Sequence, residues 1–383
     1  MQTVSHWEGG IGMDENRYLL KHTDEIITPC LIYYKDIIEQ NITEMISAAG
    51  NANRLWPHVK SHKMKKLVEL QIKMGITRFK CATIAEAQMV AESGASDALV
   101  AYPLVGPNIK RFLELVKTYT GTRFWAIGDD REQVSLLNSA AGTQEIMVNF
   151  LADVNMGTNR TGISMDKLPD FYRYCCNLPW LSVQGLHCYD GNNGIAEYDA
   201  REKAVDEIDR AVFTTVAALE QAGFPCPVLV MGGTPSFPCH ARYKRVYLSP
   251  GTGVISDFGY ASKFTDETFA PAGLLMTRVV SHGAPGLFTL DLGYKGIAAD
   301  PPGLRGCLIG DWHATPLNQN EEHWIWKMEE GYEDQRPAIG TVLYVIPTHI
   351  CPTSALYPEA LVALDGKIVD IWEVTARNRK LSI

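Results

Sequence analysis

The chain has 383 residues, 46% of them hydrophobic and 21% charged, with a formal net charge of −9. That balance fits a soluble globular protein with a large core and argues against nucleic acid or an anionic membrane as the main partner. No apolar run reaches the length of a bilayer span, residues Met1 to Trp7 carry no signal-peptide pattern, and nine scattered cysteines without a CxxC pair read as reduced, cytoplasmic thiols.

The first 27 residues are polar and glycine-containing and read as a peripheral arm. Residues 30–34 read as a strand, and 35–49 as a helix whose Ile37, Ile38, Ile42, Met45 and Ile46 cluster at helical spacing. From residue 54 strands and helices alternate. The strand candidates are 54–60, 78–82, 98–102, 123–127, 145–151, 181–187, 228–231 and 245–248. Helical stretches between them include 63–74, 84–93, 108–119 and the longest, 197–222. Eight short apolar strands, most separated by helices, predict a parallel sheet covered on both faces. Eight is also the number that closes a (β/α)8 barrel, although a doubly wound open sheet gives a similar alternation. Past Asp257 helical periodicity largely disappears. Short β-type runs follow at 274–281, 287–292, 341–345, 361–364 and 368–374, with Asp365-Gly366 as a hairpin signal. They predict a second, all-β domain, in which 311–336 reads as a long insertion or subunit-contact loop.

In a parallel barrel the working residues lie at the C-terminal ends of the strands and in the loops after them. The first strand ends in Lys60, within Leu55-Trp56-Pro57-His58-Val59-Lys60-Ser61-His62-Lys63. Desolvating a lysine ammonium there lowers its pKa and frees the amine to attack a carbonyl; a solvated lysine is the plainer alternative. Lys63 reads as the start of the next helix. After 145–151 comes Asp153-Val154-Asn155-Met156-Gly157-Thr158-Asn159-Arg160-Thr161-Gly162, in which Arg160 is a buried-side arginine framed by glycines. The strand 181–187 leads into Tyr189-Asp190-Gly191. The last two strands run into Gly232-Gly233-Thr234-Pro235-Ser236 and Ser249-Pro250-Gly251-Thr252-Gly253. Backbone N–H groups at Gly233 and Gly251 can approach an anion closely, and Thr234 and Thr252 add hydroxyl donors. Either turn alone reads equally as a plain turn. Both together point to a phosphate, and a reactive amine facing a phosphate cradle suggests pyridoxal 5′-phosphate (PLP). Arg160 then suits the cofactor's phenolic oxygen, or else pairs with an acid such as Asp153.

A second constellation is Pro347-Thr348-His349-Ile350-Cys351-Pro352-Thr353. If this stretch is extended, His349 and Cys351 point to the same side. Imidazole and thiolate are preferred zinc ligands, and two residues leave positions open for water or substrate. The plainer reading is a histidine and a cysteine buried in a β-core. Thiolate ligation leans to Zn2+, since Mn2+ prefers oxygen ligands. Tyr189, Asp190, His58, His62 and Cys188 are supporting candidates, whereas the adjacent pair Cys239-His240 reads as structural.

These motifs resemble the fold-type III PLP enzymes of the D-threonine aldolase and D-serine dehydratase group, relatives of alanine racemase. The matching pieces are T-P-C-L-I-Y from Thr28, P-H-V-K-S-H-K from Pro57, N-R-T-G from Asn159, G-L-H-C-Y-D-G from Gly185, G-G-T-P from Gly232, P-G-T-G from Pro250, H-I-C-P-T from His349 and V-D-I-W-E-V-T-A-R from Val369. They occur in the family's order over nearly the whole chain. The resemblance implies an α/β fold: an alanine-racemase-like (β/α)8 TIM barrel over 28–260, with a β-domain from 1–27 and 261–383 that carries the metal site. It implies PLP on Lys60, Arg160 near its phenolate oxygen, Tyr189 beside it as a catalytic and binding group, phosphate at Gly233, Thr234, Gly251 and Thr252, and a divalent metal on His349 and Cys351. A homodimer acting on a small D-amino acid is implied as well. The H-x-C pair is similar to that of the D-serine dehydratases, which eliminate the β-hydroxyl to give a 2-oxo acid and ammonia. Tyr189-Asp190-Gly191 is similar to the aldolases, which release glycine and an aldehyde, yet Asn192 and Asn193 stand where an aldolase would be expected to carry a histidine. A racemase and a non-catalytic PLP-binding protein are the remaining alternatives.

Overall fold

The alternation of apolar runs and amphipathic stretches folds as expected. In the computed structural model, which describes residues 15–379, it forms a parallel sheet wrapped by helices. Strand β1 (Cys30–Tyr34) and helix α1 (Lys35–Ala49) come first, followed by α2 (Lys65–Lys73), β2 (Arg78–Cys81), α3 (Ile84–Glu92), β3 (Asp97–Val100) and α4 (Pro107–Thr118). Next are β4 (Arg123–Gly128), α5 (Arg131–Thr143), β5 (Val148–Asp153), α6 (Leu168–Cys176), β6 (Leu181–Cys188) and α7 (Tyr198–Gln221). The series ends in β7 (Val228–Met231), α8 (Phe237–His240) and β8 (Val246–Leu248). Strands β2 to β8 form a seven-stranded parallel sheet in sequence order.

The run 54–60 does not add a regular eighth strand. It is reduced to two bridges, Leu55 with Leu248 and His58 with Lys80, so that it touches both edges of the curled sheet. The bonds Trp56 N to Leu248 O (2.8 Å), His58 N to Pro250 O (2.7 Å) and Lys80 N to Pro57 O (2.9 Å) make the same closure. Pro57 explains the interruption: it has no N–H to give to a ladder. Inside, Trp56, Leu99, Trp125, Ile127, Leu151 and Val230 form one buried cluster, the filled interior expected of a closed barrel.

The chain divides into two compact units: Ile42–Gly253 with the described residues from Thr375 onward, and the described residues up to Asn41 with Val254–Val374. The second unit contains β1, α9 (Phe258–Lys263), β9 (Gly273–Ser281), β10 (Leu287–Leu290), β11 (Gly306–Leu308), β12 (Ala314–Gln319), β13 (Trp324–Met328), β14 (Val342–Pro347), α10 (Ile350–Leu356), β15 (Glu359–Leu364) and β16 (Lys367–Glu373). The sheet runs β12-β13-β10-β9-β1-β15-β16, with β14 on β9 and β11 on β14.

Three expectations change here. Strand β1, included above in the range 28–260, pairs antiparallel with β9 and parallel with β15 and so belongs to this sheet. Its burial on both faces suits the centre of any sheet, so periodicity alone does not say which. The segment 311–336 is no open loop, because β12 and β13 pair within it as a hairpin. Trp324, Trp326 and Met328 alternate inward along β13, the period-2 pattern of a half-buried strand. Strand β5 begins at Val148, three residues later than the run 145–151 suggested, because Glu145 takes a left-handed φ of +54° that ends the preceding turn. The Asp365-Gly366 turn is as expected, with φ of +52° and +73° between β15 and β16. Residues 1–14 of the N-terminal arm, including the run Met1 to Trp7, lie outside the described residues. Among the described residues no helix is long and apolar enough to cross a membrane.

Candidate active site

Beyond Pro57 the backbone bends instead of extending. The His58 ring turns back on its own chain, with Nδ1 accepting from Lys60 N at 3.3 Å, and caps a 3-10 turn over Val59–Ser61. Lys60 therefore sits half-buried inside this turn, not as the last residue of a regular strand. Lys63 does not open the next helix, which starts at Lys65. It adopts φ +56°, and its ammonium pairs with the fully buried carboxylate of Glu86, which also accepts from Ala82 N at 2.6 Å. Lys63 thus fastens the Lys60 turn to α3.

Tyr189, just past β6, gathers the predicted groups around its ring. Lys60 Nζ lies 6.0 Å from the ring centroid, Arg160 Cζ 5.4 Å and Lys80 Nζ 5.0 Å. Basic groups at such distances suit the negative face of an aromatic ring when they carry their charge. Arg160 is exposed, contrary to the expectation of a buried-side arginine. Its loop is shaped from below: Asn155 Oδ1 accepts from Gly157 N (3.0 Å) and Asn159 N (3.1 Å), and Gly162 N donates to Asp129 Oδ2 at 2.5 Å. Asp153 is not its partner. Asp153 stands opposite His187 in the β5–β6 register, and its Oδ1 meets His187 Nδ1 at 2.7 Å. The outer atoms of that pair, Asp153 Oδ2 and His187 Nε2, are buried with no hydrogen-bond partner among the described residues.

Lys80 was not found from the sequence. It lies on β2, buried with 2% of its surface exposed, between Phe79 and Cys81. The signal was a charged residue within an apolar strand of a sheet covered on both faces, where no side of the strand meets water. Burial pushes its amine down to about 7, helped by the charge of Lys60 and opposed by Asp153 and Asp190. The folded value lies below the ordinary 10.5, so the unfolded chain takes up the proton first as pH falls. The cost of burying Lys80 is therefore nearly absent above that value, grows as pH falls through the interval, and is complete below about 7. Lys80→Met is expected to stabilise the cofactor-free protein by roughly 4 kcal/mol at pH 7 and by under about 1 kcal/mol at pH 10, read by urea denaturation. An equal effect at both pH values would show that Lys80 is not buried as an amine.

The two glycine turns close on the same end of the barrel. A Cβ at Gly233 would stand 3.2 Å from Tyr189 Cε2, and one at Gly251 would stand 3.3 Å from His58 Cβ and 3.4 Å from Ser61 Oγ. Thr234 Oγ1 accepts from Gly251 N (3.0 Å) and Gly253 N (3.3 Å), tying the turns together, and Thr252 is buried beside them. Ser61 Oγ and Ser249 Oγ are buried with no partner among the described residues. The N–H groups of Gly233 and Gly251, expected to face an anion, donate instead to Ser236 Oγ and Thr234 Oγ1. The fit to a small phosphorylated ligand such as PLP therefore rests on glycines that leave the mouth clear and on the orphaned buried hydroxyls. The flanking histidines are held neutral. Burial draws His62 down to about 3, and burial with the charges of Lys60 and Lys80 draws His58 well below the usual imidazole range.

His349 and Cys351 belong to the other unit. The stretch is not extended as supposed, because the chain turns into α10 at Ile350. His349 is the residue preceding the helix and Cys351 lies in its first turn. The two side chains are nevertheless hydrogen-bonded, and His349 Nδ1 meets Asp300 Oδ2 at 2.5 Å. Burial draws the imidazole down, but Cys351 and then Asp300 overcome this and hold it up at about 9. Behind them Asp257 accepts from Ile350 N (3.0 Å) and Tyr260 N (2.9 Å), fixing the start of the helix. Among the described residues no group of three or more His, Cys, Asp or Glu side chains gathers to hold a metal ion, so a closed protein cage is not built. The pair does fit an open divalent site: a carboxylate on one imidazole nitrogen leaves the other for a metal beside a thiolate.

With this geometry established, the comparisons with known proteins are informative. The family model described as alanine racemase, N-terminal domain, matches residues 35–257, and a second model, of a serine dehydratase domain, matches 272–363. A D-threonine aldolase of Arthrobacter sp is 27% identical over 363 residues, covering 92% of this chain and 93% of the relative. A D-threo-3-hydroxyaspartate dehydratase of Delftia sp. (strain HT23) is 25% identical over 374 residues, covering 90% and 96%. The crystal structure of D-threonine aldolase from Filomicrobium marinum superposes with a TM-score of 0.83 at 25% identity, covering 92% of this chain and 95% of that one.

Proposed function

Because this chain belongs to the family of the alanine racemase N-terminal domain, we propose that it is a PLP- and divalent-metal-dependent lyase of D-3-hydroxy amino acids that eliminates the β-hydroxyl to give a 2-oxo acid and ammonia. The observation that carries this reading is the gathering of Lys60, Lys80 and Arg160 around one tyrosine ring, with the Gly233 turn packed against that ring. When bound, PLP supplies an electron sink for charge at the substrate's Cα, and a divalent ion supplies Lewis acidity at the β-oxygen.

The chain's own residues take the other roles. Lys60 Nζ removes the Cα proton, a task suited to a half-buried amine held beside an aromatic ring. Arg160 and Lys80 balance the negative charge of the bound groups, and the Gly233 and Gly251 turns with Thr234, Thr252, Ser61 and Ser249 receive the phosphate. Tyr189 forms the floor between them. His349 and Cys351 hold the metal, with Asp300 fixing the imidazole orientation. We take a homodimer as the working form.

Elimination is preferred to retro-aldol cleavage because that cleavage needs a base at the β-hydroxyl, and Asn192 and Asn193, which follow the Tyr189 turn, cannot act as one. The aldolase relative and the Tyr189-Asp190-Gly191 sequence support the second reading, release of glycine and an aldehyde. Incubating the purified holoenzyme with D-serine, D-threonine and D-3-hydroxyaspartate separates them. Ammonia with a 2-oxo acid is expected; glycine with an aldehyde would replace elimination by retro-aldol cleavage. Neither product from any of the three would sink both readings, leaving racemisation or cofactor binding without catalysis.

A further inference from the structure

Behind the phosphate turns lies a buried ionic cluster that the roles above do not use. His240 ends α8, and its Nδ1 meets Asp209 Oδ1 of α7 at 2.7 Å while its Nε2 meets Asp190 Oδ2 at 3.2 Å. All three side chains have no exposed surface. Carboxylate oxygens only accept, so a ring that faces one with each nitrogen donates from both and carries both protons. Burial draws such an imidazole down, but the two aspartates outweigh it and hold His240 at about 9. The cluster continues toward the turns. Asp190 Oδ1 accepts from Ser236 Oγ (2.7 Å), and that oxygen accepts from Gly233 N (3.0 Å). Gly232, at φ +84°, lets the chain pass the ring; a Cβ there would lie 3.2 Å from His240 Cδ2. On the far side Arg242 reaches Asp209 Oδ2 at 3.5 Å and also pairs with Asp206.

Three desolvated charges are an expensive way to fill space, since apolar residues of similar volume commonly do so at no loss of stability. What the cluster provides is orientation. One ring fixes the carboxylate next to Tyr189, and through Ser236 that carboxylate fixes the N–H of Gly233. Thr234, the next residue, carries the constraint on to Gly251 and Gly253. We propose that His240, clamped between Asp190 and Asp209, is a positioning residue that sets the Tyr189 and Gly233 turns in the shape that grips the cofactor's phosphate. This rests on the reading that those turns hold a phosphate. It would extend the expected structural role of His240, one of the pair Cys239-His240, to the shape of the site.

The test compares PLP with pyridoxal, which carries the same aldehyde without the phosphate, by titrating each into the cofactor-free full-length protein and following protein fluorescence. Two variants are measured beside the wild type. Asp209→Asn removes the charge behind His240, and Ser236→Ala leaves the ionic cluster in place but breaks its link to Gly233 N. The expected result is a rise in the PLP dissociation constant on the order of 10- to 100-fold in both variants, with the pyridoxal constant changed less than about threefold. Equal weakening of both ligands, or no change in PLP binding in Ser236→Ala, would overturn the inference and leave a purely structural cluster. If the wild type binds PLP no more tightly than pyridoxal, the phosphate reading itself fails and the inference with it. Should Asp209→Asn not fold, Ser236→Ala decides alone.

Discussion

Lys60→Ala is expected to lose turnover on every D-3-hydroxy amino acid by at least about 10³-fold and to lose the visible absorbance of bound PLP. The expectation follows from position and not from charge alone. Lys60 lies in the 3-10 turn that links the two edges of the barrel sheet, beside the Gly251 turn and within 6.0 Å of the Tyr189 centroid. Truncating a half-buried side chain leaves the interior cluster around Trp56 intact, so the melting temperature should fall by only a few degrees. Lys80 makes the experiment discriminating. Its amine lies closer to the same ring, at 5.0 Å, and its pKa near 7 leaves much of it uncharged at neutral pH. If Lys60→Ala keeps the absorbance and Lys80→Ala loses it, the cofactor lysine is Lys80 and the assignment made from the Pro57-His58-Val59-Lys60 motif is wrong.

How far the sequence could be read depended on whether a local rule or a tertiary neighbour decided each position. Strand β1, helix α1 and strand β7 follow local periodicity and fall on the expected residues. The Asp365-Gly366 turn follows the same way, because its left-handed backbone needs residues that tolerate it. Where side chains competed with the ladder the reading failed. His58 bonding back to Lys60 N turned an expected strand into a 3-10 turn, and entry into α10 at Ile350 changed the way His349 and Cys351 meet. The loop carrying Arg160 was visible as a glycine-framed motif, but its exposure was not, because exposure depends on Asn155 and Asp129 shaping the loop. Lys80, and the partners of Asp153, His187 and His240, were hidden for a different reason. Each is defined by a partner at least 30 residues away in sequence, the Tyr189 ring in the case of Lys80, and no motif spacing records such a meeting.

Removal of the divalent metal is expected to lower turnover by on the order of 10³-fold while leaving PLP bound, with recovery on adding zinc. In the second unit, His349 has one nitrogen taken by Asp300 at 2.5 Å and lies in hydrogen-bond contact with Cys351. A metal held there would need a neutral imidazole nitrogen and a thiolate, so binding should release protons and weaken as pH falls. Cys351→Ala removes the thiolate and should reproduce the loss in a way that zinc no longer restores. Asp300→Ala keeps both ligands but frees the ring to turn, and it should weaken zinc affinity by about 10- to 100-fold with turnover recovered at saturating zinc. That split between affinity and turnover separates a ligand from the group that orients it. The same chelation experiment separates elimination and retro-aldol cleavage, taken together, from racemisation, because moving a proton at Cα requires no help at the β-oxygen. Racemisation that survives complete metal removal, with neither a 2-oxo acid nor glycine formed and Cys351→Ala as active as the wild type, would overturn elimination and leave racemisation as the chemistry of Lys60.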